Sequence, residues 1–265
     1  MALTPVVLAL NASGLATAQK VAAALGAQLH GREGRVAQAD AFFANTLDHA
    51  RDLFIAGVPI VGVCASGILI RAVAPLLADK TTEPPVISVS DDGTVVVPLL
   101  GGHHGANRLA RDIAVALGGT AAVTTAGDVS LGVSLDEPPQ GWALVNRVDA
   151  KDAMAALLAG GGAAILGDEK AKASWLADLP AGDAVRLTCG IAPQVDLGPH
   201  HLQFAPQQVT VGVGCARNCP PQELEDLVRA ALSDAGVCDA AVHSVNTISL
   251  KADEPAILDL AASLD

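Results

Sequence analysis

Short apolar runs, each closed by a glycine- or serine-bearing loop and followed by a stretch with helical spacing, recur along this chain and hold it to an α/β fold. Residues 6–10 read as a strand, followed by Asn11-Ala12-Ser13-Gly14 and a helix over 16–25. Residues 60–63 repeat the theme, leading through Cys64-Ala65-Ser66-Gly67 into a helix over 68–77. Between them lie an extended piece at 28–30 and a helix expected over 40–53. Strands that alternate with helices predict a mainly parallel sheet covered on both faces.

Residues 84–90 and 94–100 flank Asp91-Asp92-Gly93, a turn signal that predicts a hairpin. The second arm runs into Gly101-Gly102-His103-His104-Gly105-Ala106-Asn107-Arg108 and then a helix over 107–117 with Leu109, Ile113, Ala116 and Leu117 on one face. Glycines, two imidazoles, an amide and a guanidinium between a strand and a helix make a ligand-facing loop, placed by this reading at a strand's carboxyl end. The loops at 11–14 and 65–67 are expected to converge on the same edge. A strand at 121–125 follows.

The pattern lapses over 130–140 into Leu-Asp-Glu-Pro-Pro-Gln, a candidate boundary. Three segments are expected: an N-terminal domain at 1–130, a smaller α/β middle segment at 131–206, and an α/β C-terminal domain at 207–265. Helices are expected at 151–159, 221–235 and 254–264, the last capped by Asp253, and strands at 163–166, 185–189, 209–213 and 248–250.

Charge and composition exclude whole classes. A net charge of -12 with 2% aromatic residues and no Tyr leaves neither the basic field nor the stacking platforms that nucleic-acid binding uses. The apolar runs are broken far short of the roughly 20 residues a membrane span needs, and the N-terminus lacks a basic leader, so a cytoplasmic address is expected. Five cysteines, with no CxxC pair, give neither a disulfide framework nor a strong metal or redox signal at Cys215 and Cys219.

His103 or His104 could serve as general acid or base, the other reading being caps on loop carbonyls. Adjacent histidines lack the i, i+4 spacing of helical zinc pairs, so no metal is expected. Arg71, Lys80, Arg108 and Arg111 are cations suited to carboxylates, Arg108 foremost and Arg111 least. Asp128 could act as a base or orient an imidazole, and equally could hold a turn. Ser13 and Ser66 fit helix caps as well as ligand contacts. Glycine spacing fits neither the dinucleotide nor the P-loop template.

Taken together, Ala74-Pro75-Leu76-Leu77-Ala78-Asp79-Lys80, the hairpin, residues 99–111 and Val123-Thr124-Thr125-Ala126-Gly127-Asp128 resemble the N-terminal domain of the cobalt-precorrin-5A hydrolases of cobalamin biosynthesis. Val211-Gly212-Val213-Gly214-Cys215-Ala216-Arg217 and Thr247-Ile248-Ser249-Leu250-Lys251-Ala252-Asp253-Glu254-Pro255 resemble that family's C-terminal domain. Two departures stand out. The loop Gly102-His103-His104-Gly105-Ala106-Asn107 has one glycine fewer than the family's usual form, and relatives continue past the point where this chain reaches Asp265, so an incomplete C-terminal domain is expected.

The resemblance implies hydrolysis of the δ-lactone of a ring-contracted cobalt-precorrin and release of the extruded carbon with its methyl group as acetaldehyde. It implies His103 or His104 as acid or base, Asp128 as orienting carboxylate, Arg71, Lys80, Asn107 and Arg108 on the substrate, and Gly102 and Gly105 for close backbone approach. No resident cofactor is implied, because cobalt arrives within the substrate. The chain is also similar to the form fused ahead of a precorrin-3B carbon-17 methyltransferase, so such a partner is expected. The alternative is a non-catalytic module that binds a corrinoid intermediate for that methyltransferase.

Overall fold

A computed structural model describes residues 3–79, 82–194 and 198–264. Lys80 and the side chain of His103 lie outside the described residues. The chain divides into two compact units, one up to residue 124 and one from 125 onward. Among the described residues no helix is long and apolar enough to cross a membrane.

In chain order the first unit comprises β1 (Val6–Ala9), α1 (Leu15–Leu25), β2 (Gln28–Arg32), β3 (Ala41–Phe43), α2 (Thr46–Ile55), β4 (Ile60–Val63), α3 (Ser66–Val73), β5 (Val86–Val89), β6 (Val95–Leu100), α4 (Ala106–Leu117) and β7 (Thr120–Ala121). These seven strands form one sheet in the order β3-β2-β1-β4-β5-β6-β7. Every pairing is parallel except β5 with β6, where the expected hairpin forms.

The central strands are apolar apart from Ser88 of β5, because both of their faces are covered. Val7, Ala9, Val61, Val63, Ile87 and Val89 pack with Ala18, Val21, Ala110 and Ile113 of α1 and α4. Val6, Leu8, Ile60 and Val86 pack on the other face with Ala50, Phe54, Leu69 and Val73 of α2 and α3. Each fully buried branched side chain contributes roughly 1.5–3 kcal/mol, so these two layers hold the strand ends in fixed relation.

The helix expected over 40–53 is instead the edge strand β3 followed by α2. The cause is Asn45: its side-chain oxygen accepts from Leu47 N at 2.9 Å and Asp48 N at 3.3 Å, so the helix cannot begin earlier. The strand expected at 121–125 is reduced to the two residues of β7.

The second unit carries α5 (Ala126–Ser130), β8 (Trp142–Leu144), α6 (Ala150–Leu158), β9 (Ala163–Leu166), β10 (Val185–Cys189), β11 (His201–Pro206), β12 (Val209–Gly212), α7 (Pro221–Asp234), β13 (Val242–Asn246) and α8 (Pro255–Ser263). Strands β8-β11-β10-β9 form a sheet that is antiparallel only between β8 and β11. Its core gathers Leu135, Leu157, Leu176, Leu187 and Phe204, with Trp175 edge-on to Phe204 at 5.0 Å. A separate parallel pair, β12 with β13, packs with α7 and α8 through Leu224, Val228, Val242 and Leu260.

The strand expected at 248–250 is instead a single helical turn at Ser249–Lys251, and the partner of β12 is the more polar segment Val242–Asn246. Asp253 does not cap α8. Glu254 stands at that position, and Asp253 pairs with Arg217 at 2.8 Å.

Candidate functional site

The hairpin decides where the glycine-histidine loop lies. Because β6 runs antiparallel to β5, with Leu100 opposite Val86, the loop at 101–105 emerges at the amino end of the parallel strands. The loops after β1 and β4 emerge at the carboxyl end, so the expected convergence of residues 11–14 and 65–67 with His103 does not occur. The four residues of β4 separate the two edges by roughly 13 Å.

At the amino edge, Gly101 adopts φ 75°, and a Cβ there would meet Pro85 N at 2.6 Å and Pro84 C at 2.8 Å. Its carbonyl accepts from His104 N at 2.9 Å and Ala106 N at 3.0 Å, closing the single helical turn Gly102–His104. Gly105, at φ 93°, then opens α4. Gly102 is under less constraint, since a Cβ there would have Asn107 Nδ2 at 3.8 Å as its nearest neighbour. Asn107 is buried, whereas His104 and Arg108 are exposed. The loop thus presents an imidazole and a guanidinium to solvent from a rigid base.

The carboxyl edge holds a cleft of about 520 Å³ where strand order reverses between β1 and β4, the position at which doubly wound sheets bind ligands. Leu10, Ile68, Val95 and Val97 make its apolar wall; Asn11, Ser66, Ser88, Ser90 and Asp91 make its polar one. Asp91 is fastened from the first loop: its Oδ2 accepts from Ser13 Oγ at 2.5 Å and from Asn11 Nδ2 at 3.3 Å, and its backbone carbonyl accepts from Thr17 Oγ1 at 2.6 Å. Gly14 is required there, because a Cβ would meet Val63 Cγ1 at 2.9 Å and Asp91 Oδ1 at 3.0 Å. Ser88 donates to the Cys64 carbonyl at 2.7 Å. Burial, and then the nearby Asp91 carboxylate, push the Cys64 thiol up to about 12.

The other expected residues distribute unevenly. Arg71 curls back along its own helix, Nη1 donating to the Gly67 carbonyl at 2.9 Å, which carries its charge toward the start of α3. Arg111 is an exposed residue of α4. Asp128 belongs to the second unit, not to a strand end: it is buried in the first turn of α5 and accepts a short hydrogen bond from the Thr125 hydroxyl. Among the described residues no group of three or more His, Cys, Asp or Glu side chains could hold a metal ion. Asp91, Ser88 and Ser90 were not singled out by sequence. The Asp91-Asp92-Gly93 turn marks the place, but its contacts with Asn11 and Ser13 span 80 and 78 residues.

Fold and cleft together define a doubly wound α/β protein with a cleft at the switch point of its sheet, followed in the chain by a second α/β unit. Residues 48–128 match the family model described as Cobalamin synthesis G N-terminal, and residues 209–265 match Cobalamin synthesis G C-terminus. The chain belongs to this cobalamin synthesis G family. It is 26% identical over 226 residues to a cobalt-precorrin-5A hydrolase of Priestia megaterium, covering 77% of this chain and 60% of that protein. It is 29% identical over 251 residues to a cobalt-precorrin-5A hydrolase of Salmonella typhimurium, covering 84% of this chain and 68% of that one. A solved structure of a cobalamin biosynthesis protein G homolog from Sulfolobus solfataricus aligns with 98% of this chain and 77% of its own, at 16% identity and a TM-score of 0.43. The chain therefore spans about 60% of the length of the first of these relatives.

Proposed function

We propose that the protein acts in cobalamin biosynthesis as a cobalt-precorrin-5A hydrolase, opening the δ-lactone and releasing acetaldehyde. The observation that carries this reading is the match of both terminal segments, in order, to one cobalamin synthesis family. Such chemistry needs a base for water, donors for the developing oxyanion and cations for the substrate's carboxylates. The first unit holds groups of these kinds at both sheet edges: imidazole and guanidinium at 104 and 108, carboxylate and hydroxyls in the cleft. In this reading the substrate brings its own cobalt. A precorrin methyltransferase is the expected partner for the product.

The test is to incubate the purified protein with cobalt-precorrin-5A and measure acetaldehyde together with loss of the lactone. Stoichiometric release supports the reading. Tight corrinoid binding with no acetaldehyde overturns it in favour of a binding module.

A further inference from the structure

We propose that Asp91 is the general base of this reaction and that the lactone carbonyl binds in the carboxyl-edge cleft, an assignment that rests on the hydrolase reading and deepens it. Three independent features meet at this point. The cleft sits at the switch point of the sheet. Its carboxylate is held by groups distant in sequence, and Gly14 is cut to fit beside it. Across the same cleft α3 begins at Ser66 with no side-chain cap; Ile68 N donates to the Ala65 carbonyl at 2.9 Å, which leaves the Ser66 and Gly67 N–H groups to a ligand.

The division of labour within the carboxylate is specific. Oδ2 takes the hydrogen bonds from Ser13 and Asn11, while Oδ1 accepts none among the described residues. Ser66 Oγ likewise has no hydrogen-bond partner among the described residues, and Arg71 stands close by over Gly67 to receive a substrate carboxylate. The apolar wall of Leu10, Ile68, Val95 and Val97 suits the edge of a macrocycle.

The step balances without any outside reagent. Water loses a proton to Asp91 Oδ1 as its oxygen bonds to the lactone carbonyl carbon. The carbonyl π pair moves onto oxygen, where the Ser66 and Gly67 N–H groups and the Ser66 hydroxyl stabilise it. Collapse restores the carbonyl and breaks the ring C–O bond, and the departing alkoxide takes the proton back from Asp91. The carboxylate is regenerated, and the freed alcohol gives acetaldehyde as its O–H proton leaves, its C=O forms and its bond to the macrocycle breaks, the electron pair staying on the ring carbon, which takes up a proton. The His104 imidazole, on the opposite edge of the sheet, takes no part in this proton transfer.

Two measurements on the intact chain test the assignment. The first is the pH dependence of kcat/KM for acetaldehyde release by the unaltered protein. A base at Asp91 gives an acid limb that Asp91→Asn abolishes, whereas a base elsewhere leaves that limb in place. The second is Asp91→Asn, expected to lower kcat by about 10²–10⁴-fold with KM and melting temperature little changed, and Asp91→Glu, expected to recover part of the loss. An acid limb that persists in Asp91→Asn, or an Asp91→Asn protein within tenfold of the original rate, overturns the assignment while leaving the hydrolase reading intact. Substrate binding without any release by the unaltered protein overturns that reading itself.

Discussion

His30 Nδ1 lies 2.9 Å from His49 Nε2, joining the middle of β2 to the first turns of α2, and the His49 ring stacks on Phe43 of β3 at a centroid distance of 4.6 Å. One ring must donate and the other accept, so the bond exists only while at least one imidazole is neutral. Burial lowers the affinity of both rings for a second proton, and for His30 the neighbouring His49 adds to that while Asp40 opposes it. For His49, Asp52 opposes the effect of burial.

Stability should therefore depend on pH with a definite sign. Both imidazoles titrate below the usual 6.5 in the folded state, so on acidification the unfolded chain takes up protons first. The contribution is fully present above pH 6.5 and is lost as pH falls through the lowered folded-state values. Thermal melting of the native protein from pH 8 to pH 5 should show a falling midpoint, and His30→Gln should flatten the slope in that window. Equal slopes for the two proteins refute the role given to the pair.

Gly101 and Gly102 should respond differently to the same added methyl group. At Gly101 an alanine meets both a left-handed backbone and Pro85 at 2.6 Å, so Gly101→Ala should cost about 2–4 kcal/mol. At Gly102 the nearest atom stands 3.8 Å away, and Gly102→Ala should stay within about 1 kcal/mol. Urea unfolding of the two variants checks the difference, and comparable losses contradict it.

How much of this could be read from sequence depends on burial. β1, β4 and β5 were legible because strands covered on both faces are predominantly apolar, with Ser88 the one polar side chain among them, whereas β13 hides His243, Ser244 and Asn246 in a half-exposed pair. The apolar look of residues 248–250 misleads for the complementary reason: Ile248 and Leu250 are 65% and 72% exposed. β11 was missed because its Gln203, fully buried, satisfies itself on the Gly190 and Ala192 carbonyls, bonds no local pattern announces. The hairpin was read correctly, but its consequence is topological. Reversing one strand carries the histidine loop to the far edge and brings Asp91 to Asn11 and Ser13 in its place.

In the second unit, Glu254 is 1% exposed, accepts from Asn218 N at 2.8 Å, and faces Lys251 Nζ at 3.6 Å and Arg217 Nη1 at 3.7 Å. It ties the loop before α7 to the start of α8. Glu254→Ala strips a buried acceptor from the backbone of Asn218, which sits at φ 61°, and should cost about 1–3 kcal/mol. Asp253→Ala removes only an exposed partner of Arg217 and should cost less than about 1 kcal/mol. Denaturant unfolding that ranks these two losses in the reverse order rejects the account.

Cys64 reports on the charge in the cleft. With its thiol raised from 9.0 to about 12, it carries roughly a thousandfold fewer thiolates at pH 8 than an ordinary cysteine, and only the thiolate is alkylated. Iodoacetamide at pH 8 should leave Cys64 unmodified in the native protein, as followed by mass spectrometry of its peptide, until denaturant exposes it. Since Asp91 is the second cause of the shift after burial, Asp91→Asn should lower the thiol's value and raise its native-state alkylation rate. Rapid modification of Cys64 in the native protein, or a rate indifferent to residue 91, contradicts the placement of that carboxylate beside it.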